Sequence, residues 1–363
     1  MSALLEQFGG SDAVARAEAW KYSRNALRAL EQYAFAPSAT DLALTPELVA
    51  RLDWPETRKA RLVFVNGELS APHSTRTIAD DGVLHLADGD RVHLVFVNVA
   101  ATGPTRWRRE LSITLGRGRA ELIEQHLGDA GKDVLGALDV QIRIGNGAVL
   151  SATLLDELPD SVSLVARARA TLAEGARLEA TQALFGGRLQ RFDVAVDLSA
   201  AKSAFVSRGV FAPRARQHVD VHLQVLHAAR DTSSDVSWRG VADGRGRGIL
   251  HGGITVAPGA DGTDARLQTR NLLLSAQAEI DAQPVLEIHA DEVKASHGAT
   301  VGQLDERALF YLRARGLPQA AARHLLIAGF CREALDAVTD PTLRARLETA
   351  LDQRLPSAAE ASA

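Results

Sequence analysis

Residues 142–155 read IRIGNGAVLSATLL, and residues 163–180 read SLVARARATLAEGARLEA. In both, apolar residues alternate with polar or small ones for a few positions and then break at a corner. Alternation with period two is the mark of a half-buried strand, because successive side chains point to opposite faces. The same texture continues in FDVAVDLSAAKSAFVSRGV (192–210), HVDVHLQVL (218–226), ILHGGITVAPGADG (249–262), LQTRNLLLSAQAEI (267–280) and VLEIHADEV (285–293). Helical periodicity is missing throughout, and similar corners return about every 20–28 residues, the spacing of a β-solenoid. A β-sandwich competes, but its hairpins would need more Asn-Gly or Asp-Gly pairs than this region holds. The reading is therefore mainly β: a right-handed parallel β-helix flanked by N-terminal and C-terminal α-helical parts. Within 271–280, Leu272, Leu274, Ala276, Ala278 and Ile280 are expected to share the inner side, where small residues suit tight stacking.

Working outward, the chain divides into an N-terminal helical region (1–60), N-terminal strands and entry to the solenoid (61–139), the parallel β-helix core (140–302) and a C-terminal helical region (303–363). A helix is expected over 11–33, capped by Ser11 or Asp12, with Trp20-Lys21-Tyr22-Ser23 as an aromatic anchor on the body. Residues 37–55 read as short helices and linker. Arg61 to Leu69 is a strand broken by Asn66-Gly67, a hairpin signal, and Arg91 to Val99 is a central strand. Leu111 to Leu115 and Val140 to Ile144 are the clearest strands between 106 and 144. The tail is helical. Asp305 to Arg315 ends at Gly316, Pro318 opens a second helix, and Asp340-Pro341 opens a third that runs to about Arg354, before a frayed end at 357–363. Such a bundle either caps a solenoid end or offers a docking face.

The 363 residues carry a net charge of −4, so no basic footprint points to nucleic acid. A hydrophobic fraction of 46% is enough for a substantial core. No window resembles a signal peptide or a membrane span, and a single cysteine, Cys331, excludes an internal disulfide framework. A cytoplasmic protein is the expectation.

Among candidate motifs, phosphate binding fails first. Gly131-Lys132 is followed by Asp133, and His126 stands where a P-loop needs its first glycine. Gly244-Arg245-Gly246-Arg247-Gly248 has no strand–helix unit around it and reads as a turn. His218, Asp220 and His222 share a strand face, but the two histidines lie about 13 Å apart at about 3.3 Å per residue. That is too far to share one ion, so they read as surface histidines, and His227 and His251 could join a site only through the fold. Cys331, in an apolar helix, reads as an inert core thiol. In LEIHADEVKASHGATVGQLDERALFYLRARGL (286–317), strand alternation fails at Asp291-Glu292 and a polar run follows, expected to be a loop. His297 in that run divides between a structural role and a ligand or proton-transfer role, since imidazole suits iron or zinc.

From Leu272 to Gly316 the sequence resembles the C-terminal core of the SufB/SufD family, scaffold subunits of the SUF iron–sulfur cluster assembly system. Glu287, Asp291, Val293, Lys294, Ser296, His297, Gly298, Ala299, Thr300, Gly302, Leu304, Asp305, Phe310, Tyr311, Leu312, Arg315 and Gly316 carry the match. Trp20-Lys21-Tyr22-Ser23 is similar to the family's N-terminal Trp-Lys-Tyr-Thr signature. The chain looks SufD-like, because SufB-like chains carry a cysteine and a His-Glu-Ala-Thr run where Ala295 and His297-Gly298-Ala299-Thr300 stand here. Many SufD chains also carry a cysteine at the Ala295 position, and its absence here argues against an obligatory thiolate role there. The resemblance implies pairing with a SufB-like subunit through the β-helix, and a SufC ATPase bound by the C-terminal helices. It further implies a transient cluster or iron held between His297 and the SufB cysteine. No cofactor is expected on this chain alone. The resemblance leaves open a homodimer without SufB and whether reduced flavin contacts this subunit. The rival expectations are a solenoid carbohydrate-active enzyme and an interaction solenoid without metal chemistry.

Overall fold

The computed structural model describes residues 20–30, 36–37, 42–52, 54, 60–100, 103–129, 131 and 133–356. The helix expected over 11–33 is thus described only as α1 (Arg24–Leu30); its proposed caps, like Lys132, Pro55 and the 357–363 tail, lie outside the described residues. Strand β1 (Ala36–Pro37) precedes α2 (Pro46–Arg51), whose first turn is capped by the Thr45 hydroxyl accepting from the Leu48 N–H.

The strands follow as β2 (Arg61–Val65), β3 (Glu68–Leu69), β4 (Val83–Leu86), β5 (Arg91–Asn98), β6 (Thr105–Leu115), β7 (Arg119–Gly128), β8 (Val134–Ile144), β9 (Val149–Asp156) and β10 (Val162–Leu172). They continue as β11 (Arg177–Leu184), β12 (Leu189–Leu198), β13 (Ala204–Phe211), β14 (His218–His227), β15 (Ser233–Ala242), β16 (Arg247–Val256), β17 (Asp264–Leu273), β18 (Glu279–Ile288) and β19 (Lys294–Gly302). Three helices close the chain: α3 (Glu306–Ala314), α4 (Gln319–Arg332) and α5 (Pro341–Arg354).

From β6 onward, even-numbered strands pair in one sheet, joined by β1 and β4, and odd-numbered strands from β5 pair in the other, joined by β2 and β3. Successive neighbours within each sheet are parallel, so the chain crosses from sheet to sheet and returns one strand further along. This is the expected parallel β-solenoid, of about eight turns. The corners repeat as faithfully as the strands. Gly147, Gly175, Lys202, Asp231 and Gly262 all have positive φ. The N–H of each donates to the corner carbonyl of the next coil, at Glu174, Ala201, Arg230, Asp261 and Glu292. A tight corner needs that left-handed backbone, and glycine takes it without penalty while lysine and aspartate are strained. Asn66 and Gly67 likewise adopt positive φ in the β2–β3 hairpin, the one antiparallel pair among the described strands.

The inward positions of successive strands stack into one apolar core from Leu62 to Leu267. The alternation expected across 271–280 does not survive, because a turn, with Ala278 N–H donating to Ser275 O, separates β17 from β18 and resets the phase. Leu272 and Leu274 therefore pack outside the coil, against the cluster under the C-terminal helices.

Helices α4 and α5 do not close the solenoid end. They lie along the outer face of the odd-strand sheet, burying Ile123, Leu155, Ala183, Phe185, Val210 and Val241 against Ile327, Cys331, Leu335, Leu347 and Leu351. Helix α4 sits over the later coils, where buried Arg239 pairs with Glu333 and faces the Phe330 ring at 5.5 Å. The chain from Asp340 through α5 returns to the first coils. Asp340 pairs with Arg91 at 2.8 Å, and Arg346 stacks on Trp54, whose ring centroid is 4.5 Å from that of His93. The result is a strap spanning the coils lengthwise.

Gly209 of β13 tests the packing. A Cβ there would stand 2.2 Å from the indole of Trp238, the fully buried neighbour on β15. Gly209→Ala is expected to lower stability by about 1–3 kcal/mol through overpacking, read by chemical denaturation; an unchanged midpoint would contradict it.

Candidate functional site

A parallel ladder must stop somewhere, and here it stops at β18 and β19. β18 is the last strand of the even sheet and pairs with β16; β19 is the last of the odd sheet and pairs with β17. Among the described residues neither has a strand on its far side. Each therefore presents a row of backbone donors and acceptors, a template for a further strand. Apolar side chains stand exposed there, Ile288 at 42% and Val301 at 45%.

The polar run Lys294–Gly298 is part of β19 and not a loop, a correction to the sequence reading. Its residues escaped the strand pattern because no coil covers them, so their inward positions need not be apolar. Register nevertheless places His297 in an inward column: Val92, Leu122, Ala152, Ala180, Ser207, Val236 and Leu267 precede it, one per coil. His297 ends that column, exposed where a further coil would cover it. Ala295 follows Ala265 and Ala299 follows Thr269 in the flanking columns. Among the described residues no group of three or more His, Cys, Asp or Glu side chains is arranged to hold a metal ion. One imidazole supplies a single nitrogen, one position of the four that a tetrahedral ion takes.

Beyond β19, Asp305 caps α3 by accepting from the Arg307 N–H at 2.8 Å. Leu309 is buried, but Phe310 is 71% and Tyr311 57% exposed, with the Arg315 guanidinium 5.2 Å from the Tyr311 ring. Leu325 on α4 is also exposed. Leu309 supplies the packing of this helix, and the two aromatics beside it are surplus to the fold.

The fold also brings together residues far apart in sequence on the outer face of the even sheet. His218 and Asp220 are buried, so they are not the surface residues expected. Their cover is the Trp20–Ser23 anchor. Ser23 Oγ donates to Asp220 Oδ2 and lies 2.9 Å from His218 Nε2, so the neutral imidazole donates its Nε2–H to that oxygen. Arg191, 1% exposed, reaches Asp220 at 2.7 Å under the Trp20 ring. Burial pushes the Asp220 carboxyl upward, but His222, Arg191 and Ser23 outweigh it and hold the group well below the usual carboxylate range. Burial, reinforced by Arg247 and Arg191 and opposed by Asp220 and Asp281, holds His218 down at about 4. His222 and His251 are register partners on β14 and β16, stacked with centroids 4.8 Å apart. Arg191, and the pairing of Ser23 with His218 and Asp220, went unread because outward polar residues on separate coils have no common motif. His227 lies inside the coil, bonded to Thr232 and Ser234. Cys331 is the inert core thiol expected, its thiol pushed up to about 12 by burial.

Residues 101–330 match the sequence model described as SUF system FeS cluster assembly, SufBD core domain. The chain is 34% identical over 188 residues to the iron–sulfur cluster assembly protein SufD of Escherichia coli, covering 52% of this chain and 44% of that protein. It is 31% identical over 225 residues to an iron–sulfur cluster assembly SufBD family protein of Mycobacterium tuberculosis, covering 60% and 57%. A SufBD family protein of Mycobacterium leprae is 30% identical over 271 residues, covering 71% and 68%. The chain spans about half the length of the first two curated relatives.

The anchor is expected to loosen with acid. His218 has a docked value of about 4, below the ordinary 6.5 of a solvated imidazole. Docking is thus fully favoured above pH 6.5 and weakens as pH falls from 6.5 toward 4. Between pH 7.5 and 5.5 the docking equilibrium should fall about tenfold. Acrylamide quenching of Trp20, taken as the difference from Trp20→Phe, measures it; quenching unchanged at pH 5.5 would contradict the linkage.

Proposed function

The chain belongs to the SufBD family of the SUF iron–sulfur cluster assembly system and is SufD-like, and on that premise we propose that it is a non-enzymatic scaffold subunit. The observation that carries this reading is the uncovered last coil, where two unpaired edge strands frame His297 at the end of an inward column. A SufB-like solenoid with its own open end would continue both ladders, and backbone pairing would fix its register. The partner's cysteine would then meet the His297 imidazole between the two coils. Iron or a nascent cluster is the cargo, and thiolate with imidazole is a donor set that suits it. Without such a partner the same edges fit a second copy of this chain. Relatives named for cluster assembly favour this reading over a carbohydrate-active enzyme.

The exposed aromatics of α3 support a second contact. Large apolar side chains left in water beside a basic residue are typical anchors for a partner. We assign them to a SufC ATPase, because the sequence carries no P-loop and any ATP-driven motion must enter from outside. The lengthwise strap of α4 and α5 would deliver that motion to the coils through Arg239–Glu333 and Arg91–Asp340. A single free, buried cysteine fits a cytoplasmic setting.

His297→Ala should leave pairing with the SufB-like subunit intact and lower cluster reconstitution on the complex by about tenfold or more. Unchanged reconstitution would remove the ligand role. Phe310→Ala with Tyr311→Ala should weaken ATPase binding about 30-fold or more without lowering the melting temperature of the free chain. Retained affinity would move the docking face elsewhere.

A further inference from the structure

Between the sheets of the middle coils lies a partly open space that the apolar columns do not fill. Strand β10 turns three small residues inward in succession, Ala166, Ala168 and Ala170, and Ala152 and Ala180 line the same space from the other sheet. In the coils on either side the equivalent inward positions carry larger groups: Leu138, Val140 and Ile142 before, Phe192, Val194 and Val196 after. A void of about 90 Å³ remains between the sheets. Its presence explains an anomaly of burial. Ala152, Leu154, Ala168, Ala180 and Val194 stand at inward register positions, yet each retains accessible surface.

The wall is chiefly apolar. Glu124, Thr153, Thr181, Gln182 and Asp193 supply its polar atoms; Glu124 is already engaged by His126 Nε2 and Asp193 by Arg191, each at 2.6 Å. A water needs only about 10–15 Å³, but it also needs two to four polar partners, which alanine and valine walls do not supply. Cavities of this kind take up small apolar guests: an engineered apolar cavity of about 150 Å³ binds benzene and xenon. The present void is smaller but of the same order.

We infer that the solenoid interior is a binding site for one small, neutral, apolar molecule, seated between the alanines of β10 and those of β9 and β11. The proposal is independent of the scaffold reading, since it rests on core packing alone. The guest gains dispersion contacts that the lining alanines lack when the space is empty.

The test uses the full chain with xenon and benzene as probes. Xenon under pressure should occupy a single site between β9, β10 and β11 in the crystal, and benzene should raise the melting temperature in a saturable manner. Ala180→Leu should abolish both effects by filling the space. Ala168→Val, a smaller change, should weaken benzene binding about tenfold if the larger variant fails to fold. The proposal is overturned if xenon and benzene find no site there, if the space holds ordered water that neither displaces, or if binding survives in the filled variants.

Discussion

Everything in this molecule depends on parallel strands stacking in register, coil upon coil. Each strand satisfies its backbone on the strand before and the strand after, and the left-handed corners from Gly147 to Gly262 hand their N–H groups on in the same direction. That constraint gives rigidity along the stack, but it never satisfies the final strand. At the early end β1 and β4 lie beside β6, and the β2–β3 hairpin ends the odd sheet. At the late end, among the described residues, β18 and β19 have no strand beyond them. A long uncovered edge is ordinarily a liability for a free chain, which is why the proposed partner is placed there.

The two flanking segments are straps and not caps. The N-terminal anchor lies on the even sheet through a buried charge cluster, in which Asp220 has Arg191 and Ser23 as partners. The C-terminal helices lie on the odd sheet through an apolar cluster edged by ion pairs. The difference has consequences. The C-terminal seam rests mainly on apolar burial, whereas the N-terminal cluster holds a neutral buried histidine and responds to acid. Tyr22 of the N-terminal anchor reaches Gln283 on β18, but among the described residues neither strap adds a strand beyond β18 or β19.

Much of this was legible in the sequence, and the parts that were not share a cause. Where inner and outer faces differ in polarity, as in β14 or β17, alternation announced the strand. The corners were legible too, as were the helix boundaries, since Asp305, Gly316, Pro318 and Asp340-Pro341 act locally through caps and φ restrictions. β7 was obscured because Glu124 and His126 point inward, and β19 because nothing covers it. His297 was singled out, but its place at the end of an inward column follows from register summed over seven coils, which no local pattern encodes. The burial of His218 and Asp220 was missed for the same reason. It requires Trp20–Ser23 to lie across strands nearly two hundred positions away.

The central claim is that the bare edges of β18 and β19 are the pairing surface and that His297 is enclosed by it. Amide hydrogen exchange on the isolated chain and on its complex with a SufB-like subunit measures this directly. The account predicts fast exchange of the outward amides of both strands in the isolated chain, slowed about a hundredfold or more on complex formation as new ladder bonds form. A stable complex in which the amides of β18 and β19 exchange as fast as in the free chain would contradict it.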